Sequence, residues 1–166
     1  MSDKKSLNVA VLTVSDTRDA SNDTSGDTLA ELLSQDGHVI VKRQIVKDDV
    51  YQLRAVVSQW IADEAVQAII TTGGTGFYNR DSTPEALTIL FDKTIEGFGE
   101  LFRQLSYQEI GTSTVQSRAL AGIANRTVIF CLPGSTGACR TGYKGIIQEQ
   151  LDSSHKPCNF IGALKL

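Results

Sequence analysis

Two hydrophobic rhythms alternate along the chain. Nearly continuous runs rich in β-branched residues, Leu7 to Val14 (LNVAVLTV), Gln67 to Thr72 and Thr127 to Leu132 (TVIFCL), predict strands covered on both faces. His38 to Val46 (HVIVKRQIV) has the same character with a charged middle, which suits the edge of a sheet. Between these runs the apolar period lengthens. Leu53, Val56, Val57, Trp60 and Ile61 fall at i, i+3, i+4, i+7 and i+8 and predict a helix from Val50 with Trp60 in the core. Leu29, Leu32 and Leu33 mark another helix, with Thr24 and Ser25 as capping candidates and Gly37 as its stop. Pro84, behind Ser82 and Thr83, opens a third that runs to about Phe91. Phe98, Leu101, Phe102 and Leu105 give a fourth, extending to Ile110, and Tyr143, Ile146, Ile147 and Leu151 a fifth from Ala138 onward. Residues 111–124, rich in Ser, Thr, Gly and Ala, read as a loop with a short helix. Strands alternating with helices predict a three-layer α/β/α sandwich on a mostly parallel, mixed sheet. The expected organisation is one domain over residues 1–166, with a short polar N-terminal tail (1–6) and a C-terminal tail (152–166) that packs on its own domain or on a neighbouring subunit.

Composition narrows what such a domain does. With 166 residues, 41% hydrophobic and 21% charged, the chain can bury one sizeable core, and its net charge of -3 leaves no broad basic field for nucleic acid. No apolar run approaches the roughly 20 residues that span a bilayer. The start Met1-Ser2-Asp3-Lys4-Lys5 is polar, so a cytoplasmic location is expected. Cys131, Cys139 and Cys158 are odd in number and contain no Cys-x-x-Cys, and His38 and His155 have no metal-ligand partner at helical spacing. Neither a disulfide framework nor a zinc site is indicated.

The candidate chemistry lies in the loops after the strands. Thr71-Thr72-Gly73-Gly74-Thr75-Gly76 follows the apolar Ala68-Ile69-Ile70 and precedes Arg80-Asp81-Ser82-Thr83-Pro84-Glu85. In a doubly wound sheet such a loop opens where ligands bind, and glycines let backbone N–H groups approach a phosphate closely. The competing reading is a turn that only reverses the chain. Ser15-Asp16, Asp48-Asp49 and Pro133-Gly134-Ser135 should open at the same edge. Carboxylates gathered there repel unless a cation sits among them, and Mg²⁺ takes one or two carboxylates with phosphate oxygens and water. The plainer alternative makes Asp16, Asp48 and Asp81 helix caps or solvated loop residues. Two familiar nucleotide motifs are absent. No G-x-G-x-x-G follows the first strand, and Tyr143 stands where a P-loop spacing from Gly137 needs lysine.

Thr13-Val14-Ser15-Asp16, Ile45-Val46-Lys47-Asp48, Thr71 to Gly76, Arg80-Asp81 with Thr83-Pro84-Glu85-Ala86, Gly97-Phe98-Gly99-Glu100 and Leu132-Pro133-Gly134-Ser135, in this order, resemble the MoaB/Mog family of molybdenum cofactor biosynthesis proteins over essentially the whole chain. The resemblance implies an α/β/α domain assembled as a homotrimer or homohexamer, able to associate with other enzymes of that pathway. It implies binding of molybdopterin and ATP, and transfer of AMP from Mg-ATP to the terminal phosphate of molybdopterin with release of pyrophosphate. Carried onto this chain, the family's two acidic residues fall on Asp48 and Asp81, as catalytic groups and Mg²⁺ ligands. Its nucleotide and molybdopterin loops fall on Ser15, Asp16, Thr72, Gly73, Gly74, Thr75, Gly76, Pro133, Gly134 and Ser135. Thr136 departs from the proline usual in the catalytic branch. The alternative within the same pathway is a non-catalytic molybdopterin-binding or carrier protein. Arg80, Arg118 and Arg140 are candidate counter-charges.

Overall fold

The structure, a computed structural model, describes residues 4–78 and 80–166; Met1 to Asp3 of the expected N-terminal tail lie outside the described residues. Six strands form one sheet: β1 (Asn8–Val14), β2 (Val39–Val46), β3 (Ala68–Thr72), β4 (Lys93–Thr94), β5 (Leu120–Ala124) and β6 (Thr127–Leu132). Their order is β2-β1-β3-β6-β5-β4. The first four in that order are parallel, and β5 and β4 run antiparallel to their neighbours, so the expected mixed sheet is present.

Side-chain alternation along the strands divides the core between two helical layers. Val9 and Val11 of β1 and Val128, Phe130 and Leu132 of β6 pack with α1 (Thr24–Gln35), α4 (Glu96–Ile110) and α5 (Thr136–Gly142). Ala10, Leu12 and Val14, with Ile129 and Cys131, face α2 (Val50–Ala62) and α3 (Thr83–Leu87) on the other side. Trp60 is buried in that second layer as expected. α5 runs on through a π-helical turn, Tyr143–Ile147, and a last α-turn, Gln148–Gln150.

Three local readings are corrected. The cap of α1 is Asp23, which accepts the Gly26 N–H and not Thr24 or Ser25, because the helix begins one residue earlier than its apolar stripe suggested. The helix opened by Pro84 is α3 only, followed by a 3₁₀ turn, Thr88–Leu90. Residues 111–124 hold a 3₁₀ helix, Gly111–Gln116, and then a strand, β5. The β5–β6 hairpin turns at Asn125 and Arg126, both at positive φ, the primed-turn geometry that matches strand twist. The C-terminal tail packs on its own domain: Ile161 and Leu164 are buried against the α1/α4/α5 layer.

Candidate functional site

The parallel strands β1, β2, β3 and β6 end together at Val14, Val46, Thr72 and Leu132, so their four following loops share one edge. Backbone bonds then stitch those loops to each other. The Ser15 N–H donates to the Val46 carbonyl (2.9 Å) and the Gly73 N–H to the Leu132 carbonyl (2.9 Å). The Thr72 hydroxyl donates to the Pro133 carbonyl (2.8 Å), and Ser25 of α1 donates to the Gly134 carbonyl (2.6 Å).

Above these ends lies a cavity of about 470 Å³. Thr13, Ser15, Thr72 to Gly76, Asp81 and Pro133 to Ser135 line one side, and Phe102, Ser106, Ile110, Ser113, Gln116 and Ser117 close the other. Thr72, Gly73, Gly74, Thr75, Gly76, Pro133, Gly134 and Ser135 therefore come together, with Ser15 and Asp81 in the same wall. Asp16 and Asp48 are outside the lining. Both carboxylate oxygens of Asp16 accept instead from the Arg80 guanidinium (2.9 and 3.0 Å). That pairing holds its carboxyl below the usual carboxylate range.

The glycines are explained by what stands behind them. A Cβ on Gly74 would fall 2.3 Å from the Thr83 hydroxyl and 2.9 Å from Asp48 Oδ2, and one on Gly76 would fall 2.6 Å from Asp81 Oδ2. Both acids thus rest against the same glycine loop. Asp48, only 7% exposed, accepts at Oδ1 from the Ser82 N–H (3.1 Å) and hydroxyl. Burial pushes its pKa up, with the Asp81 and Asp16 charges adding to the rise while the Ser82 bonds oppose it. Asp81 accepts the Tyr78 N–H at Oδ2 (3.0 Å). Neither acid caps a helix; Asp49 does that for α2, accepting from the Tyr51 and Gln52 N–H groups.

Both serines hold turns. The Ser15 hydroxyl accepts from the N–H groups of Thr17 (3.2 Å) and Arg18 (3.0 Å), and Ser135 caps α5 by accepting from Ala138 (3.1 Å). The first turn of α5 therefore opens on the cavity. Gly73 spends its own N–H within the protein, on Leu132.

A profile of the family described as "Probable molybdopterin binding domain" matches residues 10–153. The chain belongs to this family. It is 54% identical over 157 residues to molybdenum cofactor biosynthesis protein B of Escherichia coli K12, covering 95% of this chain and 92% of that protein. Its fold superposes on the crystal structure of a molybdenum cofactor biosynthesis protein B with a TM-score of 0.86 at 44% identity, covering 89% and 92% of the two chains. On the tungsten cofactor synthesizing protein MoaB of Pyrococcus furiosus the score is 0.76 at 39% identity, covering 87% and 92%.

Within this molybdopterin-binding domain, the arginines divide by position. Arg80 is committed to Asp16, and Arg140 is exposed on α5. Arg118 is bound up with the glycine loop from outside the cavity. The arginine in the cavity wall is Arg18, which donates to the Asn22 carbonyl and the Thr24 hydroxyl and was not among the sequence candidates. Its signal was position alone, two residues after Asp16 in the loop that follows β1. Ser106, Ser113, Gln116 and Ser117 were missed as well; the Ser/Thr density of the 111–117 stretch pointed to the last three, and nothing local pointed to Ser106 on α4. Cys131 and Cys139 lie beneath the site, and burial pushes their thiols up to about 12 and about 11, so neither offers a thiolate near neutrality.

Proposed function

We propose that this domain acts in molybdenum cofactor biosynthesis by binding molybdopterin and ATP together and transferring AMP to the terminal phosphate of molybdopterin. The observation that carries the reading is Asp81 in the wall of a cavity whose glycine loop also rests against Asp48, which lies just outside the lining, in a molybdopterin-binding domain. A cavity of this volume falls within the ordinary range for small-molecule sites.

An oxygen of the molybdopterin phosphate attacks the α-phosphorus of ATP. The new P–O bond forms as the bond from that phosphorus to the bridging oxygen breaks, and pyrophosphate leaves. No protein nucleophile is needed, so the chain's work is to hold two anions in line and to meet the charge that develops. The N–H groups of Gly74, Thr75 and Gly76 serve as phosphate donors, Gly73 being engaged with Leu132. The first turn of α5, fixed by Ser135, offers a second anion position, and the Arg18 guanidinium supplies positive charge in the same wall.

The donor set fits Mg²⁺. Asp48 and Asp81 are hard oxygen ligands, and a carboxylate disfavoured by burial and by two negative neighbours is one that a cation relieves. Among the described residues no group of three acids, histidines or cysteines is arranged to hold a metal alone, so a cation held by Asp48 and Asp81 would need further oxygen ligands from substrate or water. When bound, the ion supplies neutralisation of charge on the transferring phosphoryl group. Asp48 and Asp81 would hold it.

The test is pyrophosphate release from molybdopterin and Mg-ATP. Asp81→Asn is expected to lower turnover by about 100-fold or more while molybdopterin binding stays within a few-fold of the parent. Tight molybdopterin binding without any turnover in the parent protein would make it a carrier and sink the transfer reading.

A further inference from the structure

The loop that bears Asp81 is held from outside the cavity by one side chain. Arg118, in the segment between the 3₁₀ helix and β5, donates Nε to the Gly76 carbonyl (2.9 Å) and Nη2 to the Asp81 carbonyl (3.2 Å). Its backbone N–H donates to the Thr75 carbonyl (2.9 Å), Nη1 pairs with Glu85 of α3, and the guanidinium carbon lies 5.1 Å from the centre of the Phe77 ring. One planar group therefore grips both ends of the Gly76 to Asp81 excursion and ties it to the helix that follows. Arg118 is itself held from behind. Arg103 of α4 donates Nη1 to the Ala119 carbonyl (2.9 Å), and Thr114 donates its hydroxyl to the Arg103 carbonyl (3.0 Å). Gly99 leaves the room for this, since a Cβ there would fall 2.7 Å from both the Ala119 oxygen and the Arg103 guanidinium.

We propose that Arg118 is a positioning residue of the site, fixing the glycine loop so that Asp81 and the loop N–H groups face the cavity in one geometry. It lies outside the residues that line the cavity. The rigid fork is what the role requires, because two carbonyls and a carboxylate in different directions are reached by one guanidinium and not by one ammonium. The catalytic part of the claim rests on the adenylyl-transfer reading above; the loop part does not.

The experiment uses the full chain with Arg118→Lys and Arg118→Met, read in two ways. Hydrogen–deuterium exchange is followed in peptides spanning Thr75 to Ser82, and pyrophosphate release is measured with molybdopterin and Mg-ATP. Both variants are expected to exchange roughly tenfold faster in that loop than the parent, with β1 and β6 unchanged. Both should lose at least about tenfold in kcat with KM values within about twofold, as misplacement of a catalytic acid predicts. Lysine, though it keeps the charge, should rescue little. Should the methionine variant not fold, the lysine variant carries the test alone. Unchanged loop exchange in the lysine variant, or a kcat within twofold of the parent, overturns the proposal. A parent protein that releases no pyrophosphate refutes the transfer reading instead, and loop exchange then decides whether Arg118 holds the loop.

Discussion

Gly74 shows how tightly a single residue is bound to the candidate chemistry. Its φ of +72° is one that L side chains avoid, and the Thr83 hydroxyl and the Asp48 carboxylate occupy the space a methyl group would need. Neither neighbour yields cheaply, because Thr83 donates to the Gly73 carbonyl (2.9 Å) and Asp48 is held by Ser82. Gly74→Ala should therefore destabilise the fold by about 1–3 kcal/mol, measured by urea unfolding, and, on the proposed reaction, should also weaken ATP binding. The need for glycine here was legible in Gly73-Gly74-Thr75-Gly76, since no strand continues through such a run. The reason was not, because Asp48 and Asp81 reach the loop through space from opposite sides of it in sequence.

Elements are tied to one another by capping bonds that cross long stretches of chain. Lys165, near the end of the tail, donates Nζ to the Ile61 (2.6 Å) and Asp63 (3.0 Å) carbonyls at the C-terminal end of α2, where the last carbonyls lack helical partners. Lys165→Met should cost about 1–3 kcal/mol in urea unfolding, because it removes two charge-assisted bonds from a side chain only 7% exposed. Sequence reasoning found α2 from its stripe and assigned no role to Lys165, since a cap supplied from 100 residues away leaves no local pattern. The same limit hid β4 and β5. Lys93-Thr94 is too short to show a period, and Leu120–Ala124, with a glycine and two alanines, lacks the β-branched density that marked β1 and β6. Phe91 explains one of those small residues, as its ring occupies the place of a Cβ on Gly122.

At the scale of the whole molecule, stability should follow a buried histidine. His38, at the junction of α1 and β2, accepts the Leu7 N–H at Nδ1 (3.1 Å), and burial lowers its pKa from the usual 6.5, with Lys4 acting in the same direction and Asp36 and Asp152 opposing. A depressed folded pKa means that the unfolded chain takes up the proton first. The contribution is present above about pH 6.5 and is lost as pH falls from that value through the lower folded one. His38→Asn keeps an acceptor near the Leu7 N–H, so its unfolding free energy should vary less between pH 7 and 5 than the parent's. Asp152, held down to about 2 by Lys4, acts in a separate window, losing its contribution only as pH falls from about 4 towards 2. The parallel half of the molecule, and with it the convergence of four loops, followed from strands that each announced themselves. The far cavity wall did not, because α4 and the 3₁₀ helix reach it only through tertiary packing. A Cβ on Gly134 would sit 3.4 Å from the Gly73 Cα, so at that point the near wall is main chain facing main chain. Substitution has almost nothing to work with there, so a descendant of this protein that acquires taste for a different ligand must change on the opposite bank, at Ser106, Ile110, Ser113 or Gln116.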